Sequence, residues 1–296
     1  MKGIVLIAVG GEGYLRWAVN MAASIKYHSP LLTIQLLTSK DNYKGALDNS
    51  RFFDVVTLVS ESDYRDSQGR LFPAKLKTSF IHYVDFSEFI YLDVDGCILK
   101  DITPLFEKGF TFASDLQGVY DRSQLEPFNE LKWAKPSVIW EHFKLEENAK
   151  LPAINSSFLY IKKDECIELF DLAHDLLMNN PLPYDKHWYV WGRQRDTKVS
   201  QPDELYINVA MAKLGIIPQH EVAIYFRMIN NTCEFLDYRQ VSEHYYGLGL
   251  FGQLETNHRR VRAFYNDAMK EMWTESTKQP FYDNAEKLSK SKFAIL

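Results

Sequence analysis

A chain of 296 residues with 46% hydrophobic and 14% aromatic side chains can bury a substantial core, which excludes a disordered or low-complexity protein. Its formal net charge of -5 gives no general attraction to nucleic acid or anionic lipid, so nucleic acid is disfavoured as a partner. No run of about 18 apolar residues is present to span a membrane, and Cys97, Cys166 and Cys233 are too widely spaced for a disulfide framework or a zinc knuckle, which points to a reducing, cytoplasmic setting.

The apolar run Gly3 to Val9 reads as a buried strand ended by Gly10-Gly11. Leu15, Ala18, Val19, Ala22 and Ile25 then recur at helical spacing over Tyr14 to His28. Leu31 to Leu37 and Asp54 to Val59 read as strands, Pro73 to Phe86 as a helix with proline in its first turn, and Phe89 to Asp93 as the next strand. Strands that alternate with helices at short spacing predict an α/β fold: a mostly parallel, Rossmann-like sheet with helices on both faces. Leu116 to Lys150 lacks clear periodicity and reads as a long loop or short-helix excursion, as does the irregular stretch Pro181 to Ser200. Ile154 to Ile161 reads as a strand, Asp164 to Met178 as a helix, and Pro202 to Leu214 as a helix with Asp203 and Glu204 in its first turn. One domain over 1–252 with a helical extension over 253–296 is expected.

The chemistry is concentrated where the strand Phe89-Ile90-Tyr91-Leu92 ends in Asp93-Val94-Asp95. Sheets of this class bind ligands at the carboxyl ends of their strands, and the period-two alternation of an extended chain points residues 93 and 95 to one side. Two converging carboxylates are hard oxygen donors for Mn²⁺ or Mg²⁺, cations that bridge protein carboxylates to substrate phosphates. An Asp-x-Asp also arises by chance in a chain with 20 aspartates, and the spacing alone equally describes an acidic pair that caps the next helix or faces water.

The wider segment, from Lys77-Thr78 through Tyr91-Leu92-Asp93-Val94-Asp95, resembles the signature of the glycosyltransferases related to glycogenin and the bacterial lipopolysaccharide galactosyltransferases. That family has the GT-A fold and uses a metal-bound nucleotide-sugar donor. Three further segments are similar to its motifs in the same order: Asn155-Ser156-Ser157, Asp203-Glu204-Leu-Tyr-Ile-Asn208 and His244-Tyr-Tyr-Gly247. The resemblance implies metal ligation by Asp93, Asp95 and His244. It implies donor contacts from Ala8, Val9, Tyr14, Lys77, Asp93, Val94, Asp95, Asn155, Ser156 and Gly247, and catalytic roles for Asp203 and Glu204. Lys75, on a different helical face from Lys77, is the weaker basic candidate. Trp133, Trp140, Trp188 and Trp191 are candidates to stack on an acceptor or to fill the core.

Departures from the family pattern bear on the donor and the stereochemistry. Gly10 or Gly11 stands where the family has the acid that reads the base edge, which leaves UDP as a default base. Leu250 replaces the lysine that follows His-x-x-Gly, and Glu204 stands in the place of a glutamine. The expected function is metal-dependent transfer of a hexose, with retention, from a nucleotide sugar to an unidentified acceptor: a glycan, lipid-linked sugar, protein or modified base. Two other classes stay open at this level, a nucleotide-sugar or glycan-binding module without turnover and a nucleotidyltransferase. The latter is disfavoured because Val9-Gly10-Gly11-Glu12-Gly13 has no nearby lysine.

Overall fold

In the computed structural model, which describes residues 1–94, 96–98, 101–122, 134, 136–183, 201–219 and 235–237, a six-stranded sheet forms the centre of the fold. The chain runs β1 (Lys2–Ala8), α1 (Glu12–His28), β2 (Thr33–Thr38), α2 (Lys40–Asp48), β3 (Val55–Leu58), α3 (Pro73–Ser79) and β4 (Glu88–Leu92). It continues with β5 (Gly96–Ile98), β6 (Phe112–Tyr120), α4 (Pro136–Phe143), β7 (Leu151–Lys162), α5 (Lys163–Asn179), α6 (Asp203–Leu214) and β8 (Phe235–Asp237).

The strand order is β3-β2-β1-β4-β7-β6. Strands β3, β2, β1 and β4 are mutually parallel, and β7 runs antiparallel to both β4 and β6. The expected mostly parallel α/β sheet is therefore present. The chain winds outward from β1 to β3 and then returns to the other side of β1 to lay down β4. This reversal makes a topological switch point between the carboxyl ends of β1 and β4, the place where such sheets bind ligands.

Strand alternation divides the core into two layers. Ile4, Leu6, Ile90 and Leu92 pack with Leu15, Ala18, Val19 and Ala22 of α1 on one face. Val5, Phe89 and Tyr91 pack on the other with residues of α3, α5 and α6, where Phe80 meets Phe89, Tyr91 and Phe170 as a ring cluster. Helix α6 is buried along most of its length and ends at Gly215, whose φ of +66° suits the left-handed turn that stops a helix.

Three expectations are corrected. Leu116 to Tyr120 belongs to β6 rather than to the loop or short-helix excursion, while the short helix that reading allowed there is α4, Pro136–Phe143. The helix expected to reach Phe86 leaves α-geometry after Ser79 and continues as a 3₁₀ turn over Phe80–Tyr83. Helix α2 was not expected at all. The extension over 253–296 lies outside the described residues.

Candidate active site

The site assembles where β4 ends. Backbone pairing places Phe158 of β7 opposite Leu92, and the Asp93 amide donates to the Ser157 carbonyl at 2.9 Å. Because β7 runs against β4, the middle of this 12-residue strand, Asn155-Ser156-Ser157, lies beside the carboxyl end of β4.

The pairing of β7 with its other neighbour breaks at this same place. Ser114 pairs with Leu159 and the next β6 residue, Asp115, pairs with Asn155, so Ser156, Ser157 and Phe158 have no β6 partner. Bulges of this kind recur beside functional sites, where they free backbone groups and re-aim side chains. The freed amides find side-chain acceptors: Ser156 N–H donates to Glu204 Oε1 at 3.2 Å, and Ser157 N–H to Asn155 Oδ1 at 3.0 Å. Ile154 N–H donates to Asn208 Oδ1 at 3.3 Å, so the start of α6 is tied to the bulge by the acid and the amide that the sequence singled out.

A lysine occupies the centre. Lys77 Nζ lies 3.0 Å from Asp93 Oδ1, 3.1 Å from Asp203 Oδ2 and 3.2 Å from Ser156 Oγ, and stands 5.5 Å above the Tyr91 ring. The Ser156 hydroxyl donates to the same Asp203 oxygen at 2.6 Å. At an effective dielectric of about 20, two unit charges this close attract by roughly 5 kcal/mol before desolvation is subtracted. These pairs link three elements, α3, β4 and α6, at one point. Lys75 is excluded from this group, since its ammonium donates to the Ser62 carbonyl.

Tyr91 precedes Asp93 by two residues and shares its side of the strand; its hydroxyl donates to Asp93 Oδ1 at 2.5 Å. Burial, with the Asp93 charge added, pushes the phenol well above its usual range, so it stays protonated as a donor. Asn155 is 1% exposed, and its Nδ2 is buried without a hydrogen-bond partner. A buried amide N–H without a protein acceptor is a position where an ordered water or a ligand can supply one.

On the β1 side, Gly10 takes φ +95°, which disfavours any other residue, and a Cβ built there would also need the Leu71 side chain, 2.9 Å away at Cδ1, to shift. The Ala8 carbonyl already accepts from Thr38 Oγ1 at 2.8 Å and Asn42 Nδ2 at 3.3 Å, and Val9 and Val94 are buried in the two core layers. Any ligand contact of these three residues comes chiefly from backbone. Tyr14 is 41% exposed on the first turn of α1 and meets Trp17 edge to face at 5.5 Å. Its ring is thus on the surface, not in the core.

The structure brings together Lys77, Asp93, Asn155, Ser156, Asp203 and Glu204. Asp95, His244 and Gly247 lie outside the described residues, as do Trp133, Trp188, Trp191, Leu250 and the His187, His220 and His258 imidazoles. Trp140 is a core residue whose Nε1 donates to the Glu146 carbonyl, which removes it from the acceptor candidates. Two functional neighbours were missed: Tyr91, which reads as one more apolar strand residue, and Asp115, buried opposite Asn155 at the bulge. A lone acid in Phe110-Thr-Phe-Ala-Ser-Asp115-Leu116 was the available signal.

The carboxylate of Asp93 is a hard oxygen donor of the kind Mn²⁺ and Mg²⁺ take, at the strand end where sheets of this class bind ligands. Among the described residues no group of three His, Cys, Asp or Glu side chains is placed to hold a metal, and the two other predicted ligands are not among them.

No protein-family model and no curated protein matches this sequence. Among solved structures the chain is similar to an active-site glutamine-to-glutamate mutant of LgtC, at 13% identity over 72% of this chain and 70% of that one, with a TM-score of 0.45. It is also similar to the galactosyltransferase LgtC in complex with donor and acceptor sugar analogs (14%, 73% and 72%, 0.44). A third is the apo form of mouse xyloside xylosyltransferase 1 (10%, 80% and 97%, 0.47).

Proposed function

We propose that this chain is a GT-A-type, metal-dependent glycosyltransferase that moves a hexose, with retention, from a nucleotide sugar, with UDP as the default nucleotide, to an acceptor hydroxyl. The observation that carries the reading is the convergence, at the carboxyl end of β4, of a cationic side chain, three acids and a buried amide with an unmet N–H. An ammonium and a buried amide donor suit a ligand that is anionic at one end and hydroxylated at the other, which describes a nucleotide sugar.

The pairing of β5 with β8 adds support for the predicted metal centre. Gly96 pairs with Asp237, which brings the chain seven residues before His244 beside the residue that follows Asp95. Seven residues reach at most about 25 Å, ample for His244 to return over Asp93.

Bound Mn²⁺ or Mg²⁺ would supply Lewis-acid neutralisation of the departing diphosphate. The side chains supply position and field. Lys77 offers its charge to the diphosphate, and Asn155 Nδ2 donates to a sugar hydroxyl. Asp203 and Glu204 orient the sugar and stabilise positive charge developing at its anomeric carbon. The bond from that carbon to the diphosphate oxygen breaks as the bond to the acceptor oxygen forms, and the acceptor proton passes to the leaving phosphate.

A thermal-shift panel of nucleotide sugars, with and without Mn²⁺, tests the reading and names base and sugar together, because a bound donor stabilises the folded chain by mass action. Stabilisation by one nucleotide sugar with Mn²⁺, and nucleotide release on incubation, is the expected result. Stabilisation with no release selects a binding module without turnover, and no response to any nucleotide sugar ends the proposal.

A further inference from the structure

Lys77 places a positive charge against the oxygens on which the proposed metal must draw. Asp93 Oδ1 accepts the Tyr91 hydroxyl and faces the Lys77 ammonium at 3.0 Å, and Oδ2 lies 3.4 Å from the same ammonium. Asp203 Oδ2 is engaged in the same way by Lys77 and Ser156. Without substrate one ammonium is shared between two carboxylates, and a divalent cation approaching Asp93 must displace it from the oxygens that cation would bind.

We infer that Lys77 is an exchangeable counter-ion which couples donor and metal binding: its ammonium competes with the cation for Asp93, and the donor diphosphate relieves the competition by giving the ammonium another anion. This rests on the metal-dependent reading above. Lysine is suited to the exchange, since a compact ammonium on a flexible four-carbon stem can change partners without moving the helix that bears it. The Lys77 side chain is 14% exposed, buried enough to hold the pair and open enough for an anion to reach. By linkage, whatever factor the donor adds to metal affinity the metal adds to donor affinity. A role for Lys77 as a mere clamp between α3 and α6 predicts no such effect on cation affinity.

The test is Mn²⁺ binding to the donor-free full chain, followed by loss of the free-Mn²⁺ paramagnetic resonance signal, in wild type, Lys77→Met and Lys77→Arg. Lys77→Met is expected to bind Mn²⁺ about tenfold more tightly than wild type, within the usual range of coupling between sites. Lys77→Arg, which keeps the charge, is expected to stay within about twofold of wild type. UDP should tighten Mn²⁺ binding in wild type by a larger factor than in Lys77→Met. If Lys77→Met does not melt cooperatively, Lys77→Gln, which keeps hydrogen-bond donors toward both acids, takes its place. Equal donor-free affinity in wild type and the uncharged variant, with Mn²⁺ still bound beside UDP, overturns the counter-ion inference and leaves the metal reading intact. Failure of every form to bind Mn²⁺, with or without UDP, overturns both.

Discussion

Glu204 Oε1 accepts the Ser156 amide at the point where β7 has lost its β6 partner, so a first-turn helix acid completes a strand. Glu204→Gln keeps an oxygen for that amide and is expected to retain the fold and measurable transfer. Glu204→Ala leaves a buried N–H without an acceptor, which costs about 1–3 kcal/mol of stability. It should also cost at least about tenfold in transfer, roughly 1.4 kcal/mol of transition-state stabilisation. Nucleotide-release kinetics beside melting curves check both; an alanine variant as active as wild type removes Glu204 from the site.

Asn155 divides its amide between structure and ligand. Oδ1 holds the Ser157 amide, and Nδ2 is the buried donor without a partner. Asn155→Ala is therefore expected to lower the melting temperature modestly and to weaken a nucleotide sugar more than its nucleoside diphosphate. Calorimetric titration with both ligands decides the point. Equal losses would place the amide away from the sugar.

Asp95→Asn and His244→Ala probe the ligands outside the described residues. Asp95→Asn is expected to abolish Mn²⁺-dependent turnover with an unchanged melting temperature, since the proposed function assigns Asp95 to the cation and not to the core. His244→Ala should raise the Mn²⁺ concentration needed for half-maximal activity without altering the fold. Crystals with Mn²⁺ and a nucleoside diphosphate give the direct answer: a His244 nitrogen about 2.2 Å from the metal supports ligation, and one beyond roughly 4 Å refutes it.

His174 gives the fold an acid-side weakness. Its Nδ1 lies 3.0 Å from Thr78 Oγ1, next to Lys77, and burial first, then the Lys75 charge, lowers its pKa against the opposing pull of Asp63 and Asp171. With the folded value below the unfolded one, the unfolded chain binds the proton more readily. The stability due to neutral His174 is present above the unfolded value of about 6.5 and is lost as pH falls through the folded one. Melting curves between pH 7.5 and 5 should show a shallower acid-side loss in His174→Gln than in wild type; identical slopes would assign the loss elsewhere.

The elements that sequence periodicity missed are those whose cores are small or broken. Helix α2, Lys-Asp-Asn-Tyr-Lys-Gly-Ala-Leu-Asp, buries only Asn42 and Ala46, too few positions to write a 3.6-residue period. In β6, register shifts at Ser114/Asp115 and Leu116/Gly118 disturb the alternation that would have marked a strand. Helix α3 ends early because the Thr78 and Ser79 hydroxyls donate back to the Ala74, Lys75 and Leu76 carbonyls, a local competition that apolar spacing does not record. The site acids were legible by position in their motifs. The central place of Lys77 was not, because a lysine on a helix is written the same way whether it faces water or two carboxylates.

The antiparallel course of β7 gives the molecule a seam. Strands β1 to β4 with α1 make a parallel half, and the antiparallel pair β6 and β7, with the start of α6 tied to β7 through Glu204 and Asn208, makes the other. The two halves are joined by the β4–β7 ladder, which the Asp93 amide on the Ser157 carbonyl extends and the Lys77 bridge between Asp93 and Asp203 reinforces. Length changes in the connection between β6 and β7 lie beyond this seam and leave its spacing alone. On the proposed function, a lineage could change the acceptor side of this seam, and so the molecule that is modified, without altering the donor side.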